Sequence, residues 1–417
     1  MNKYSLSALL AAGLLAGSFA TGAQAADLGG DCCADLEERV AELEATTARK
    51  GNRKVSLTVS GFVAQQLLAW DDGTESNLYV TDTGSVSIGS HFAFSGKAQI
   101  NSEWSAGFLL KLEAMNNDSL LSTQDSTPQS NAFGGVQGGG PIAVESAYWY
   151  LKSNRLGRVS LGQQSDAADN QAILPDGSGT LVQANFVLYD INAFVLRKNG
   201  NFVGGRGGFR WGNLANCYPV GGAVGADCSG YPINVIRYDT PALMGFGASV
   251  SYGEDDVFSA SVRWAGEHHG FKAAAAVAYT NRTDETEVGQ GPIAIANGGQ
   301  DTDHTQVGAY LEHVGTGLFL YGAYGYEDPD VVGTVRGAGR IAPDGNNYYL
   351  KAGLKRKWFA LGNTAMYFEY GRNDDKLSAG FIDAGVNSSE LDQYGIGVVQ
   401  NVDAAAMQVW AAWRHYE

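Results

Sequence analysis

The strongest constraint on this chain is an alternation of period two that returns repeatedly from Lys54 onward. Val55, Leu57, Val59, Gly61 and Val63 alternate with Ser56, Thr58 and Ser60, and the same beat recurs over residues 92–100, 106–114, 246–252, 258–264, 271–279, 348–354 and 366–370. Side chains two apart share one face of a strand. The intervening positions hold Ser95, Lys97, Gln99, Lys111, Glu113, Ser259, Ser261, Arg263, Lys272, Lys351, Lys355 and Glu369, so one face of each strand is apolar and the other is wet. Membrane helices are excluded, because no apolar run reaches the roughly 18 residues they need.

A soluble sandwich also alternates, but it favours tightly packed branched residues on its apolar faces. Here those faces are rich in Ala and Gly and end in aromatics: Trp70, Trp149, Tyr238, Tyr252, Trp264, Tyr279, Tyr324, Tyr326, Tyr370 and Trp413. That pattern suits a lipid-facing band between aromatic girdles. Fifteen such segments can be counted, with a possible sixteenth at residues 202–211. Since lipid tolerates no unpaired backbone edge, they must close into a transmembrane antiparallel β-barrel of about 16 strands, an all-β fold. Composition agrees: 56 Gly, 9 Pro and 17% charged residues in 417 exclude a collagen, a coiled-coil rod and a charged disordered chain. Short connections (101–103, 154–156) contrast with long polar ones (116–141, 166–231, 283–301, 328–345). The segment 166–231 exceeds what a connection requires, and Ile173, Leu174, Leu181, Phe194 and Leu196 argue that it is folded and functional.

Residues 1–25 read as an export signal, with Lys3, an apolar stretch over 6–20 and cleavage after Ala23-Gln24-Ala25. A short periplasmic amphipathic helix and linker (26–53) follows, carrying Leu36, Val40 and Leu43 at heptad spacing, and the barrel occupies 54–417. Loss of Lys3 with the signal leaves 27 bases against 44 acids, a charge of −17, which argues against nucleic acid as a partner. Export permits disulfides, and Cys217 and Cys228, close together among glycines, are expected to form one. Cys32-Cys33 lacks the spacing of a zinc or redox site. No G-x-S-x-G, H-E-x-x-H or P-loop is present, and Gly134 to Gly140 lacks the strand-to-helix context of a phosphate loop. His268-His269, His304 and His313 form no ligand set, and Asp255-Asp256 and Asp374-Asp375 read as solvated pairs. The reading therefore contains no catalytic residue, no metal site and no cofactor.

Three stretches carry a family signature: VSLTVSGFVAQQLLAW (55–70), YWYLKSNRLGRVSLGQQSD (148–166) and RYDTPALMGFGASVSYG (237–253). On these the chain resembles the general diffusion porins of Gram-negative outer membranes, in particular their alphaproteobacterial branch, over nearly the whole mature length. The resemblance implies a sixteen-stranded homotrimeric barrel in outer-membrane lipid that passes ions and small hydrophilic solutes. It further implies that the third long loop folds inward as a constriction, its acids facing bases on the wall. Candidate loop acids are Asp166, Asp169, Asp176 and Asp190, and candidate wall bases are Lys97, Lys111, Arg237 and Arg263. Family members carry Gly-Arg-Gln where this chain has Gly162-Gln163-Gln164, and they end in an aromatic residue where this one reads Trp413-Arg414-His415-Tyr416-Glu417. The missing Arg and the charge of −17 predict a weak cation preference, counting only acids within a screening length of about 8 Å of the path. The alternative is a barrel that serves as a structural or adhesive anchor with long loops, and conductance separates the two.

Overall fold

The computed structural model describes residues 55–84, 88–114, 117–125, 142–185, 190–217, 221–222, 225–229, 232–253, 256–285, 300–329, 342–377, 381–382 and 384–417. The export signal, the helix expected at 31–50 and Cys32-Cys33 lie outside them. Fifteen strands form one antiparallel sheet. Its first half contains β1 (Val55–Phe62), β4 (His91–Gln99), β5 (Trp104–Ala114), β6 (Ile142–Ser153), β7 (Gly157–Gln164), β12 (Ile233–Asp239) and β13 (Phe246–Gly253). The rest are β14 (Val257–His268), β15 (Phe271–Glu285), β16 (Gln300–His313), β17 (Leu318–Pro329), β18 (Gly345–Phe359), β19 (Gly362–Asp374), β20 (Glu390–Val402) and β21 (Met407–Tyr416). A separate hairpin, β2 (Gln66–Asp71) with β3 (Ser76–Thr81), sits between β1 and β4 in the chain. Two-residue ladders pair β8 (Arg197–Lys198) with β9 (Asn201–Phe202), and β10 (Asn216–Cys217) with β11 (Gly221–Gly222).

Registers are nearly unbroken. β15 and β16, for example, pair from Phe271↔His313 to Arg282↔Thr302. Tight turns at 154–156, 269–270, 314–317 and 360–361 gather at one end, and the long connections leave from the other. One phase of the alternation points outward, with none of the described residues covering it: Leu161, Ile236, Leu320, Leu350, Phe368 and Ile396 are 44–56% exposed. A continuous apolar surface of that size belongs in lipid. The opposite phase points inside, so the fold is a transmembrane β-barrel.

The sixteenth strand expected at 202–211 is not in this sheet. Those residues belong to the long segment after β7, where Phe209 stacks on Phe381 with ring centroids 4.0 Å apart and Arg197 pairs with Asp72 of the β2–β3 hairpin. Trp70, expected in the aromatic girdle, instead packs on Tyr79 and on Phe194 of that segment, with centroids 5.8 and 5.2 Å away. The two sheet edges, β1 and β21, run in the same direction, as an odd number of antiparallel strands requires. Asp190 ties the two sides together, accepting from Gln66 of β2 at 2.9 Å and from Arg414 of β21 at 3.0 Å.

Candidate pore constriction

The chain leaves β7 and turns into the interior. Asp166 makes the turn, its Oδ1 accepting the N–H groups of Ala168 (2.8 Å) and Asp169 (2.7 Å) and its Oδ2 the Ser259 hydroxyl (2.9 Å). This is the local geometry short acidic side chains favour. Arg237 on β12 fixes the same root to the wall, donating through Nη1 to the carbonyls of Ser165 (3.0 Å) and Asp166 (2.7 Å). Its Nε and Nη2 bind Asp239 Oδ1 at 3.0 and 2.8 Å, and Arg158 on β7 takes Asp239 Oδ2 at 3.1 and 2.8 Å.

Further in, the segment lies flat against β16 and β17. The Ala172 N–H donates to Gln306 Oε1 (2.6 Å) and its carbonyl accepts from the Tyr321 hydroxyl (2.7 Å). Such an approach needs glycine on the wall. A Cβ on Gly308 would fall 1.9 Å from the Ala172 carbonyl oxygen, and one on Gly325 2.3 Å from that of Ala226. Ile173, Leu181 and Ala184 then pack with Ile88, Tyr310, Phe319, Tyr321, Tyr349 and Tyr367 as the largest buried apolar cluster of the described residues. Hydrophobic burial therefore drives the insertion.

Charge pairs finish it. Lys351 on β18 donates to Asp176 Oδ2 at 2.5 Å and to Asn185 Oδ1 at 2.9 Å. Lys355 donates to the Gly177 carbonyl (2.7 Å) and to Glu312 (2.8 Å). Arg414 binds Asp190, Glu369 (2.8 Å) and the Gln183 carbonyl. On the way out Cys217 and Cys228 form the expected disulfide, with Cα atoms 5.5 Å apart, and the buried Lys376 ammonium lies 3.4 Å from Cys228 Sγ.

The sequence-derived acids thus meet the segment and its wall more than the open lumen. Asp166, Asp169 and Asp176 are at most 3% exposed, and Asp190 is held by Arg414 and Gln66. Among the bases, Lys111 is buried in a pair with Glu145 and Arg237 is consumed at the loop root. Lys97 is exposed on the inner face of β4, and Arg263 on β14 is half-buried on the same inner wall. Lys152 on the inner face of β6, Asp227, Gln306, Gly308, Gly325 and Lys351 were not singled out from the sequence as parts of the site. Glycines in the polar phase of β16 and β17 were the available signal. Gln163 needs a correction: it lies in the outward phase with Leu161 and donates to the Val144 carbonyl at 3.2 Å, so its lack of charge does not alter the lumen. Gln164 is the side chain that turns inward.

A membrane barrel with a folded segment pinned against its inner wall defines a channel-forming outer-membrane protein. The profile of the Gram-negative porin family matches residues 8–409, and the chain belongs to that family. No curated protein matches it in sequence. Among solved structures it is similar to the anion-selective porin from Comamonas acidovorans, at 19% identity over 87% of this chain and 89% of that one, with a TM-score of 0.54. OprB of Pseudomonas putida, in its high-pH structure, aligns at 13% identity over 92% of each chain with a TM-score of 0.52. At these identities the likeness is one of fold.

Proposed function

We propose that the protein is an outer-membrane porin, exported through a signal cleaved after Ala25, that forms a water-filled channel for passive diffusion of ions and small hydrophilic solutes. The observation that carries this reading is the inserted segment 166–185. It is held by Tyr321, Gln306 and Lys351 against one wall of a barrel whose outer face is apolar, so it narrows the interior on one side. Selectivity then follows from the charges left facing water. Of the carboxylates behind the sequence-based cation preference, Asp166 is taken up by backbone N–H groups and Ser259, Asp176 by Lys351 and Asp190 by Arg414, and Asp169 is buried. The inner faces of β4 and β6 present Lys97 and Lys152. These bases favour a weak anion preference over the cation preference that the net charge of −17 suggests. A homotrimer is part of the reading, supported by the porin resemblance, and native mass measurement checks it.

Liposome swelling with sugars of increasing size tests diffusion, with entry expected for small sugars and a cut-off for larger ones. Reversal potential across a salt gradient tests selectivity, and a cation-selective wild type would return control to the net charge. Swelling that never exceeds empty liposomes would favour the anchor reading.

A further inference from the structure

Where residues 166–169 enter the interior and residues 225–229 leave it, Asp166, Asp169 and Asp227 come together, none more than 4% exposed. Two of them have the partners of a carboxylate. Asp166 accepts from two backbone N–H groups and from Ser259. Asp227 accepts from the N–H groups of Ser229 (2.9 Å) and Asn170 (3.0 Å) and from the Gln306 amide (2.6 Å). Asp169 differs: its Oδ1 is buried with no hydrogen-bond partner among the described residues.

The surrounding bases are already engaged. On β12, Arg237 is shared between Asp239 and the carbonyls of Ser165 and Asp166; on β7, Arg158 serves Asp239; on β15, Arg282 donates to the Ser229 carbonyl. β14 offers the neutral Ser259 hydroxyl, and β16 offers the neutral Gln306 amide and, one inward position along, the buried imidazole of His304. A carboxylate buried without its own counter-charge is strongly disfavoured, and neutralisation is the usual outcome. Burial first, then the charges of Asp227 and Asp166, hold the Asp169 carboxyl well above its ordinary value, against smaller opposing effects of a Ser165 hydrogen bond and Arg237.

We propose that Asp169 is a proton-operated latch: with its proton it lets three carboxyls share the root of the inserted segment, and without it the root is pushed off the wall. The proton leaves to water. The sign follows from linkage, because a docked segment that holds the proton more tightly than a released one is favoured toward acid and weakened as pH rises through the raised value. The consequence for permeation rests on the channel reading above; the protonation itself does not.

Two measurements on the refolded, full-length protein decide it. Infrared difference spectra should show a protonated carboxyl band at neutral pH that is absent in Asp169→Asn. In planar bilayers, open-channel current noise of the wild type should rise several-fold from mildly acidic to alkaline pH, while Asp169→Asn, neutral at every pH, stays flat. Asp227→Asn removes a neighbouring charge and should move the onset to lower pH. Identical infrared spectra for wild type and Asp169→Asn, or the same pH profile in both, would overturn the latch. Channels absent at every pH would instead count against the channel reading, with the infrared band still deciding the proton.

Discussion

Replacing Lys351 by Met should release the inner part of the constriction segment. The Lys351 and Asp176 side chains are both 0% exposed, and the ammonium also lies 5.4 and 5.7 Å from the ring centroids of Tyr321 and Tyr367. Met fills much the same volume, so what disappears is charge. Asp176 is then left as a buried carboxylate whose remaining partner among the described contacts is the Ser178 N–H at 3.0 Å. Removing one member of a buried pair costs about 3–5 kcal/mol. At about 1.4 kcal/mol per decade, docking of residues 173–185 would weaken by roughly two to three and a half orders of magnitude. Residues 166–172 stay anchored through Arg237, Gln306 and Tyr321, so the barrel itself should persist. Denaturant midpoints and open-channel noise in planar bilayers would report the change. Lys351→Met with Asp176→Leu should recover most of the loss, since no charge is then orphaned. A single variant within 1 kcal/mol of wild type and equally quiet, or a double variant worse than the single, would refute the reasoning.

Gly308→Ala should cost about 1–3 kcal/mol, because its Cβ would meet the Ala172 carbonyl oxygen at 1.9 Å, and limited proteolysis should then cut within residues 166–185. Replacing Cys217 and Cys228 together by Ser should remove up to about 3 kcal/mol, as the chain-entropy account gives for a separation of 11 residues, with the unfolding midpoint as readout. Non-reducing peptide mapping of wild type should recover the two cysteines linked. Lys97→Glu, exposed on the inner wall, should leave stability within about 0.5 kcal/mol of wild type and move the reversal potential toward cations.

The outward half of the barrel was legible because lipid imposes one requirement on every strand. An apolar residue at each second position is visible without knowing its neighbours, as in Phe92 and Phe94 or Met366 and Phe368. The disulfide was legible for a similar reason, its two cysteines being close in sequence. The inward half was not. Alternation reports only that Lys111, Lys351 and Glu369 avoid lipid, and it cannot separate facing water from facing a folded segment that supplies partners. Lys351 meets Asp176 across 175 residues, a pairing no local pattern encodes. The sequence did hold a hint in β16 and β17, where Gly308, Tyr310, Tyr321, Ala323 and Gly325 put small and aromatic residues in the inward phase. That is the signature of a wall against which something packs. Residues 202–211 misled for the converse reason: apolar and aromatic residues sufficient for a strand serve there to pack Phe209 on Phe381.

The central claim is that this barrel encloses a water-filled path narrowed by a pinned segment. Purified wild-type protein in a planar bilayer tests it most directly. Stepwise, long-lived, ohmic openings at low voltage are predicted. Protein that inserts with its strand content intact yet passes no current at any voltage would contradict it.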